Sequence, residues 1–398
     1  MDQLQDSPTD DLVLYIHWYV WVRYVGIMLL NISSAFLKRY TPCVIPVSML
    51  VLGVALYVGK RKHHWFLEEP GSRNPYRLVY NVIKFAKKHN NPIQRSAFTY
   101  CEEEQPSRMD FGKEKYGGPF TTEQVEDVKV FLGILCVLLS FGPTFTVDLA
   151  AVAVLPKFAN IMDKTIDLKV MNIGDLIPVL IVILIPLYIF VLRPFIGDYI
   201  PGMLKRIGLG ILLLLLSALC TLVMDTVGHL IPPSTDICFL AGTVTPPNSS
   251  GDDHMNISSY FLVIQSTLNS IAYMLIDISA YEFICAQSPQ AMKGLLIGIY
   301  FAIKGVFQLF GALTILTPFS KWNVSSSRGF PSCGFAYYII NIAIGTATLV
   351  VYTWVAKHYK YRQRDEPDNI YRYAEEYYEK EGGDSISKCS DYNEESNS

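Results

Sequence analysis

Long apolar runs separated by polar stretches dominate this chain, and the runs have the length of a bilayer crossing. A hydrocarbon layer of about 30 Å is spanned by roughly 20 helical residues. Eight segments meet that length, at about 12–33, 42–59, 128–154, 175–195, 207–230, 258–285, 294–318 and 333–356. Lipid offers no hydrogen-bond partner, so each backbone amide in such a segment must be bonded internally. Runs such as Ile207 to Met224 show no alternation of apolar and polar positions, which excludes transmembrane strands. The pattern therefore predicts an all-α membrane protein.

The longest polar stretch before the tail, 60–127, carries helical signals of its own. Asn74-Pro75 reads as an N-cap followed by a first-turn proline. Tyr76, Val79, Ile83 and Ala86 then recur at helical spacing, with Lys84, Lys87 and Lys88 among the polar positions, and the run ends near Asn91-Pro92. Two readings stay open: an amphipathic helix on the inner leaflet with its basic residues toward anionic lipid, or a solvated linker helix packed on the bundle. Thr121 with Gln124 makes a capping box leading into the third span.

Basic residues set the orientation. Lys60, Arg61 and Lys62 follow the second span, Lys205 and Arg206 precede the fifth, Lys293 precedes the seventh, and Lys357, Lys360, Arg362 and Arg364 follow the eighth. With eight spans all of these fall on one side, the cytoplasmic one, together with both termini; Lys38 and Arg39 fall opposite. The glycosylation acceptors Asn248-Ser-Ser, Asn256-Ile-Ser and Asn323-Val-Ser all land in outer loops.

Composition agrees with a lipid environment: 51% hydrophobic and 17% charged residues, at a mean hydropathy of +0.27. The net charge of -3 gives no reason to expect a nucleic-acid partner. The polar, acidic start Met-Asp-Gln-Leu-Gln-Asp is not a signal peptide, so the first apolar segment is expected to target and anchor the chain. Of eight cysteines, Cys43, Cys136, Cys220 and Cys285 lie in or beside spans as small apolar residues, and Cys101 and Cys389 are cytoplasmic. Cys238 and Cys333 remain as an outer-side pair that could form a disulfide. No Walker motif, glycine-rich phosphate loop, nucleophile–base pair or metal cluster stands out, and His63-His64 reads as solvated. The expectation is no enzyme, no catalytic residue, no metal and no cofactor. The tail from 357 turns from basic to acidic and tyrosine-rich and ends polar and partly disordered.

Charges inside spans cost at least about 2.5–3.5 kcal/mol each on insertion scales, so each needs a reason. Asp277 and Lys304 lie near the centres of the sixth and seventh spans at similar depth. They can form an ion pair that is either a gate, broken by substrate or a proton, or a purely structural link. Glu282, toward the cytoplasmic end of the sixth span, suits an ammonium group or packs at the interface. Asp148 follows Pro143, where a broken helix would present it to a cavity, and Asp225 sits near an outer end. Tyr273, Tyr281 and Tyr300 either line a cavity or pack the helices.

The most distinctive sequence is Tyr281-Glu-Phe-Ile-Cys-Ala-Gln-Ser-Pro-Gln-Ala-Met-Lys-Gly294. It resembles the tenth-helix signature of the proton-coupled oligopeptide transporter family, a branch of the major facilitator superfamily. Other resemblances keep the family's order: Gln3 after Met1-Asp2, His17-Trp-Tyr-Val-Trp21, Lys113-Glu-Lys-Tyr-Gly-Gly-Pro-Phe-Thr121, Glu126-Asp-Val-Lys129, Ile183-Leu-Ile-Pro-Leu-Tyr188 with Arg193-Pro194, and Leu204-Lys-Arg-Ile-Gly-Leu-Gly210. The resemblance implies a major-facilitator-type bundle in which these eight spans are family helices five to twelve, with helices one to four and their Glu-x-x-Glu-Arg-Phe element absent from this sequence. It implies the last two helices of an N-terminal bundle at 1–59, a cytoplasmic linker at 60–127, a six-helix bundle at 128–356 and a tail at 357–398.

The function it implies is proton-coupled symport of small peptides or related solutes at a plasma or endolysosomal membrane, with protons, a small solute and the bilayer as partners. Glu282, Asp148, Tyr273 and Tyr281 would contact substrate, and Asp277, Lys304 and Glu282 would gate or couple. The alternative is a non-transporting membrane protein that partners or regulates full-length relatives. The chain departs from the family pattern in the Phe141-Gly-Pro-Thr-Phe145 region, at Ile177 and Ile189, and at Arg23 and Tyr24 in place of an Ile-Asn pair. Those changes imply a shifted substrate.

Overall fold

The computed structural model describes residues 9–36, 41–59, 75–89, 107–147, 162–163, 176–196, 200–230, 255–258, 260–289, 292–313 and 335–361. The chain divides into two units, Met1–Tyr359 and Lys360–Ser398, and every element below lies in the first. In chain order the helices are α1 (Thr9–Phe36), α2 (Thr41–Gly59), α3 (Pro75–Lys88), α4 (Thr122–Phe141), α5 (Leu176–Leu187), α6 (Met203–Leu230), α7 (Phe261–Gln287), α8 (Lys293–Gly311) and α9 (Phe335–His358). Each of the eight apolar segments contains a described helix. Among the described residues seven are long and apolar enough to cross a bilayer, and α2 contributes the shorter apolar stretch Val47–Leu56.

Helix α7 is the hub. It packs against α6, α5, α1, α8 and α4, and from Ala272 to Cys285 every residue but Leu275 is buried. Small residues permit this approach, as they do between membrane helices generally. A Cβ on Gly210 of α6 would lie 2.6 Å from Ile276 Cγ1 and 3.0 Å from the Ala272 carbonyl. The Ser270 hydroxyl reaches the Ile177 carbonyl of α5 at 3.2 Å, and Tyr352 of α9 donates to the Leu204 carbonyl of α6 at 2.7 Å. The outward faces stay apolar: Val51, Leu52 and Val54 on α2 and Phe190 and Phe195 after α5 are well exposed, as lipid contact requires.

Helix α5 contains Pro186 and continues as a π-helical stretch, Tyr188–Leu192, and a last α-turn, Arg193–Ile196. Pro186 has no N–H to give to the carbonyl four residues back, that of Val182. The Trp21 indole on α1 donates to that carbonyl at 3.0 Å. A tryptophan from one helix thus fills the vacancy left by a proline in another, and α1 is fastened to α5 at that point.

Residues 162–163 (β1, Met162–Asp163) and 255–258 (β2, Met255–Ser258) pair in parallel, where the sequence predicted only loops. Two helices, α5 and α6, separate these segments, so their pairing agrees with both lying on one side of the bundle. Asn256 therefore sits on a strand rather than in an irregular loop. Asn248, Asn323, Cys238 and Cys333 lie outside the described residues, while Cys136, Cys220 and Cys285 are not in disulfides.

Before α4 the chain forms two 3-10 turns, Asp110–Gly112 and Glu114–Tyr116. Gly117 has φ 82°, the left-handed region that favours glycine. The capping box is present: Gln124 N–H donates to Thr121 Oγ1 at 3.3 Å and Thr121 N–H to Gln124 Oε1 at 3.4 Å. Helix α3 buries Val82 and Ala86 and packs on α4 and the first 3-10 turn, while Tyr76 and Tyr80 stay exposed. The Asp110 carboxylate accepts from Ser107 N–H at 2.8 Å, Ser107 Oγ at 2.6 Å and Lys129 Nζ at 2.6 Å, and pairs with Lys113 at 2.5 Å. Burial by itself would raise this group, but the hydrogen bonds from Lys113, Lys129 and Ser107 outweigh it and hold the carboxyl well below the usual aspartate range.

Two outcomes follow from this packing. Trp21→Phe leaves the Val182 carbonyl without a partner and lowers stability by about 1–3 kcal/mol. In a Pro186→Ala background, where the backbone N–H returns, the same substitution costs less; thermal unfolding of the four proteins in detergent gives the cycle. Because the folded Asp110 is depressed, its stabilisation is complete above the unfolded aspartate value of about 3.9 and is lost as pH falls below it. Hydrogen-exchange protection of segment 107–121, taken relative to the intrinsic exchange rate at each pH, therefore falls on acidification, and Asp110→Asn abolishes that dependence.

Candidate functional site

The bundle's buried charges collect where α1, α6, α7 and α8 meet. On α7, Tyr273, Asp277 and Tyr281 recur every fourth residue and share one face, as do Tyr300 and Lys304 on α8. Asp277, 2% exposed, is the centre. Its Oδ1 accepts from the Tyr300 hydroxyl at 2.8 Å and from Lys304 Nζ at 3.1 Å. Its Oδ2 pairs with the Arg23 guanidinium from α1 and accepts from Lys304 at 3.3 Å and the Tyr24 hydroxyl at 3.4 Å. Arg23 Nη1 also donates to the Tyr281 hydroxyl at 3.4 Å. Lys304 Nζ lies 4.9 Å from the Phe145 ring centre, and the Tyr281 and Tyr300 rings meet at 5.4 Å between centroids. A carboxylate buried this deeply stays charged only because cations and hydroxyls replace its water.

Glu282 lies five residues beyond Asp277, about 140° around the helix, and faces α6. It is 6% exposed and pairs through Oε2 with the Arg206 guanidinium. Its Oε1 is buried and has no hydrogen-bond partner. Near this pair His17 of α1 is buried, and its ring stacks on Tyr188 at 5.3 Å with planes 6° apart. The His17 Nδ1 is 2.7 Å from the Val13 carbonyl. A carbonyl only accepts, so Nδ1 carries the proton and Nε2 is the basic nitrogen of the neutral ring. Glu282, Arg206 and Arg193 are among the ionised side chains close enough to act on His17.

The structure thus joins Asp277 to Lys304 and brings Tyr281 against the same network through Arg23. Tyr273 is buried one turn before Asp277. Asp148 lies outside the described residues, and of Asp225 only the backbone on α6 is described. The sequence reading missed the arginines as partners. Arg206 was expected to precede its span, whereas α6 begins at Met203 and carries Arg206 within the helix. Arg23 and Tyr24 were read only as departures from a family pattern, yet they ligate Asp277. The available signal was physical: an arginine in the middle of an apolar span requires a buried acid.

Removing Asp277 leaves two cations without their carboxylate, whereas removing Arg23 leaves Asp277 still paired with Lys304. Asp277→Ala therefore destabilises by about 3–5 kcal/mol, and Arg23→Ala by less. Thermal unfolding in detergent ranks the two, and equal losses would contradict the network's geometry.

Comparison with known proteins places this geometry in context. The sequence profile described as PTR2, POT family, matches residues 43–328, well over half of the chain. Solute carrier family 15 member 3 of Mus musculus is 22% identical over 92% of this chain, and that of Rattus norvegicus 21% over 92%. The chain spans 66% of the length of the mouse protein and 67% of the rat one. Among solved structures, an auto-inhibited POT family peptide transporter matches at TM-score 0.62 and 15% identity, over 92% of this chain and 74% of that one. The POT family transporter PepTSo matches at TM-score 0.54 and 16% identity, over 90% of this chain and 72% of that one. Both share the helical arrangement described above. With seven bilayer-length helices and a family profile over most of its length, this multi-pass integral membrane protein belongs to the POT family.

Proposed function

We propose that this chain acts as a secondary active transporter, coupling proton movement to the passage of small peptides or related small solutes. Membership of the POT family and the peptide transporter among its structural neighbours support the solute class. The observation that carries the mechanism is the Asp277 network. One buried carboxylate on α7 holds Arg23 of α1 and Lys304 of α8 at once. In the family arrangement α1 belongs to the N-terminal half of the transporter, and α7 and α8 to the C-terminal half. Asp277 is therefore a latch between parts that must rock against one another around a central site.

A proton on Asp277 cancels its charge and removes the attraction that offsets burial of both cations. The latch then opens, α1 separates from α7 and α8, and the site changes the side it faces. Proton release restores the carboxylate and closes it again. Tyr300 and Tyr24 donate to the ionised carboxylate and favour the closed form. Glu282 supplies a second carboxylate, with its uncommitted Oε1 available to a proton or to a solute's ammonium group. Tyr273 and Tyr281 on the same helix, and Asp148 beyond Pro143, complete the proposed contacts with solute.

The test is uptake of labelled dipeptide into proteoliposomes under an imposed inward proton gradient. In Asp277→Asn, accumulation above equilibrium disappears while exchange of internal for external solute persists. Glu282→Gln lowers uptake of peptides with a free amino terminus. Proton-driven accumulation by Asp277→Asn equal to that of the unaltered chain would overturn the coupling role.

A further inference from the structure

Helix α3 has two unlike faces, and the bundle takes up one of them. Successive residues turn by about 100° around a helix. On one side Val82 and Ala86 are buried, and Leu78 and Val79 pack against the core beside them. The Phe85 ring on that side meets Phe120 edge-on at 5.9 Å. The exposed residues are Tyr76, Arg77, Tyr80, Lys84, Lys87 and Lys88. All six fall within an arc of about 120° on the opposite side. Four of them are basic, and α3 contains no acid. Lys84 Nζ lies 5.7 Å from the Tyr80 ring centre, so bases and rings make one surface.

The level of this helix follows from what it packs on. Phe120 directly precedes the Thr121 cap of α4, whose apolar span covers Thr122–Val147, 26 residues. At about 1.5 Å per residue that is about 39 Å, longer than a hydrocarbon layer of about 30 Å. The first turns of α4 therefore stand among lipid headgroups, and α3, docked against them, lies at the same level. On the orientation that the basic residues set, this is the cytoplasmic leaflet, which carries the anionic lipid.

We propose that the exposed face of α3 is a docking surface for anionic phospholipid headgroups of that leaflet. Arg77, Lys84, Lys87 and Lys88 supply the charge that lipid phosphates and carboxylates seek. Tyr76 and Tyr80 place their rings at the headgroup boundary and keep their hydroxyls toward water. An acidic peptide would satisfy the bases, but it gives no reason for two tyrosine rings at the membrane boundary. A lipid surface uses both, and α3 is then held between α4 and the bilayer.

The test is independent of transport. The full chain is placed in nanodiscs of phosphatidylcholine alone, or of an equimolar mixture with phosphatidylserine, and hydrogen exchange of 75–88 is followed. Exchange is slower in the mixed discs by at least about threefold, and high salt reduces the difference. Replacing the lysines together, Lys84→Gln, Lys87→Gln and Lys88→Gln, removes the difference, while arginine at the same three positions keeps it. Lys205→Gln with Lys357→Gln, basic residues of α6 and α9, leaves it in place. Equal exchange in the two discs overturns the proposal, and is the result expected if the chain's own Glu102-Glu103-Glu104 covers this face. A difference that survives the triple glutamine substitution also overturns it. So does soluble oligoglutamate slowing exchange in phosphatidylcholine discs as much as phosphatidylserine does, which would assign the face to an acidic protein partner.

Discussion

One carboxylate, buried in the middle of a membrane helix, sets the terms for much of this molecule. Asp277 is tolerable there only while Arg23, Lys304, Tyr300 and Tyr24 replace the water it has lost. Those groups come from two other helices, so the cost of a single charge is met by drawing α1 and α8 onto α7. Electrostatics here does more than fasten parts together. On the proposed reading, that fastening depends on the ionisation of one group.

The rest of the bundle supports that contact with uncharged ones. Glycine at position 210 brings α6 against α7 at a separation that a side chain would forbid. Tyr352 ties α9 to α6 through a backbone carbonyl. Trp21 fills the carbonyl left open by Pro186 and fixes α1 to α5 two residues from where Arg23 leaves the same helix. The π-helical stretch after Pro186 carries Tyr188, on which His17 stacks. Irregular helix of this kind is commonly found at functional sites, and here it adjoins the Arg206–Glu282 pair.

Some of this was legible in the residues themselves. The eight helices follow from run length alone, because lipid admits few other solutions for a backbone. The depth match of Asp277 and Lys304 follows from helical rise, and the structure places them 3.1 Å apart. The capping box at Thr121 and Gln124 is a local, four-residue feature and reads directly. Glu282 was legible as a buried acid, while its partner was not, because Arg206 sits at the edge of a hydrophobic run and looks like a topological marker.

The sequence by itself determined the environment, the number and length of the helices, and which residues would be costly to bury. All of these depend on the polarity of near neighbours along the chain. Only the tertiary structure decided that Arg23 lies on Asp277 across 254 positions, that Trp21 repairs Pro186 across 161 to the Val182 carbonyl, and that Met162 pairs with Met255. Such partnerships depend on helix rotation and crossing, which are set by the summed packing of many side chains. No local pattern encodes that sum, so a buried charge announces that it needs a partner without saying which one it will find.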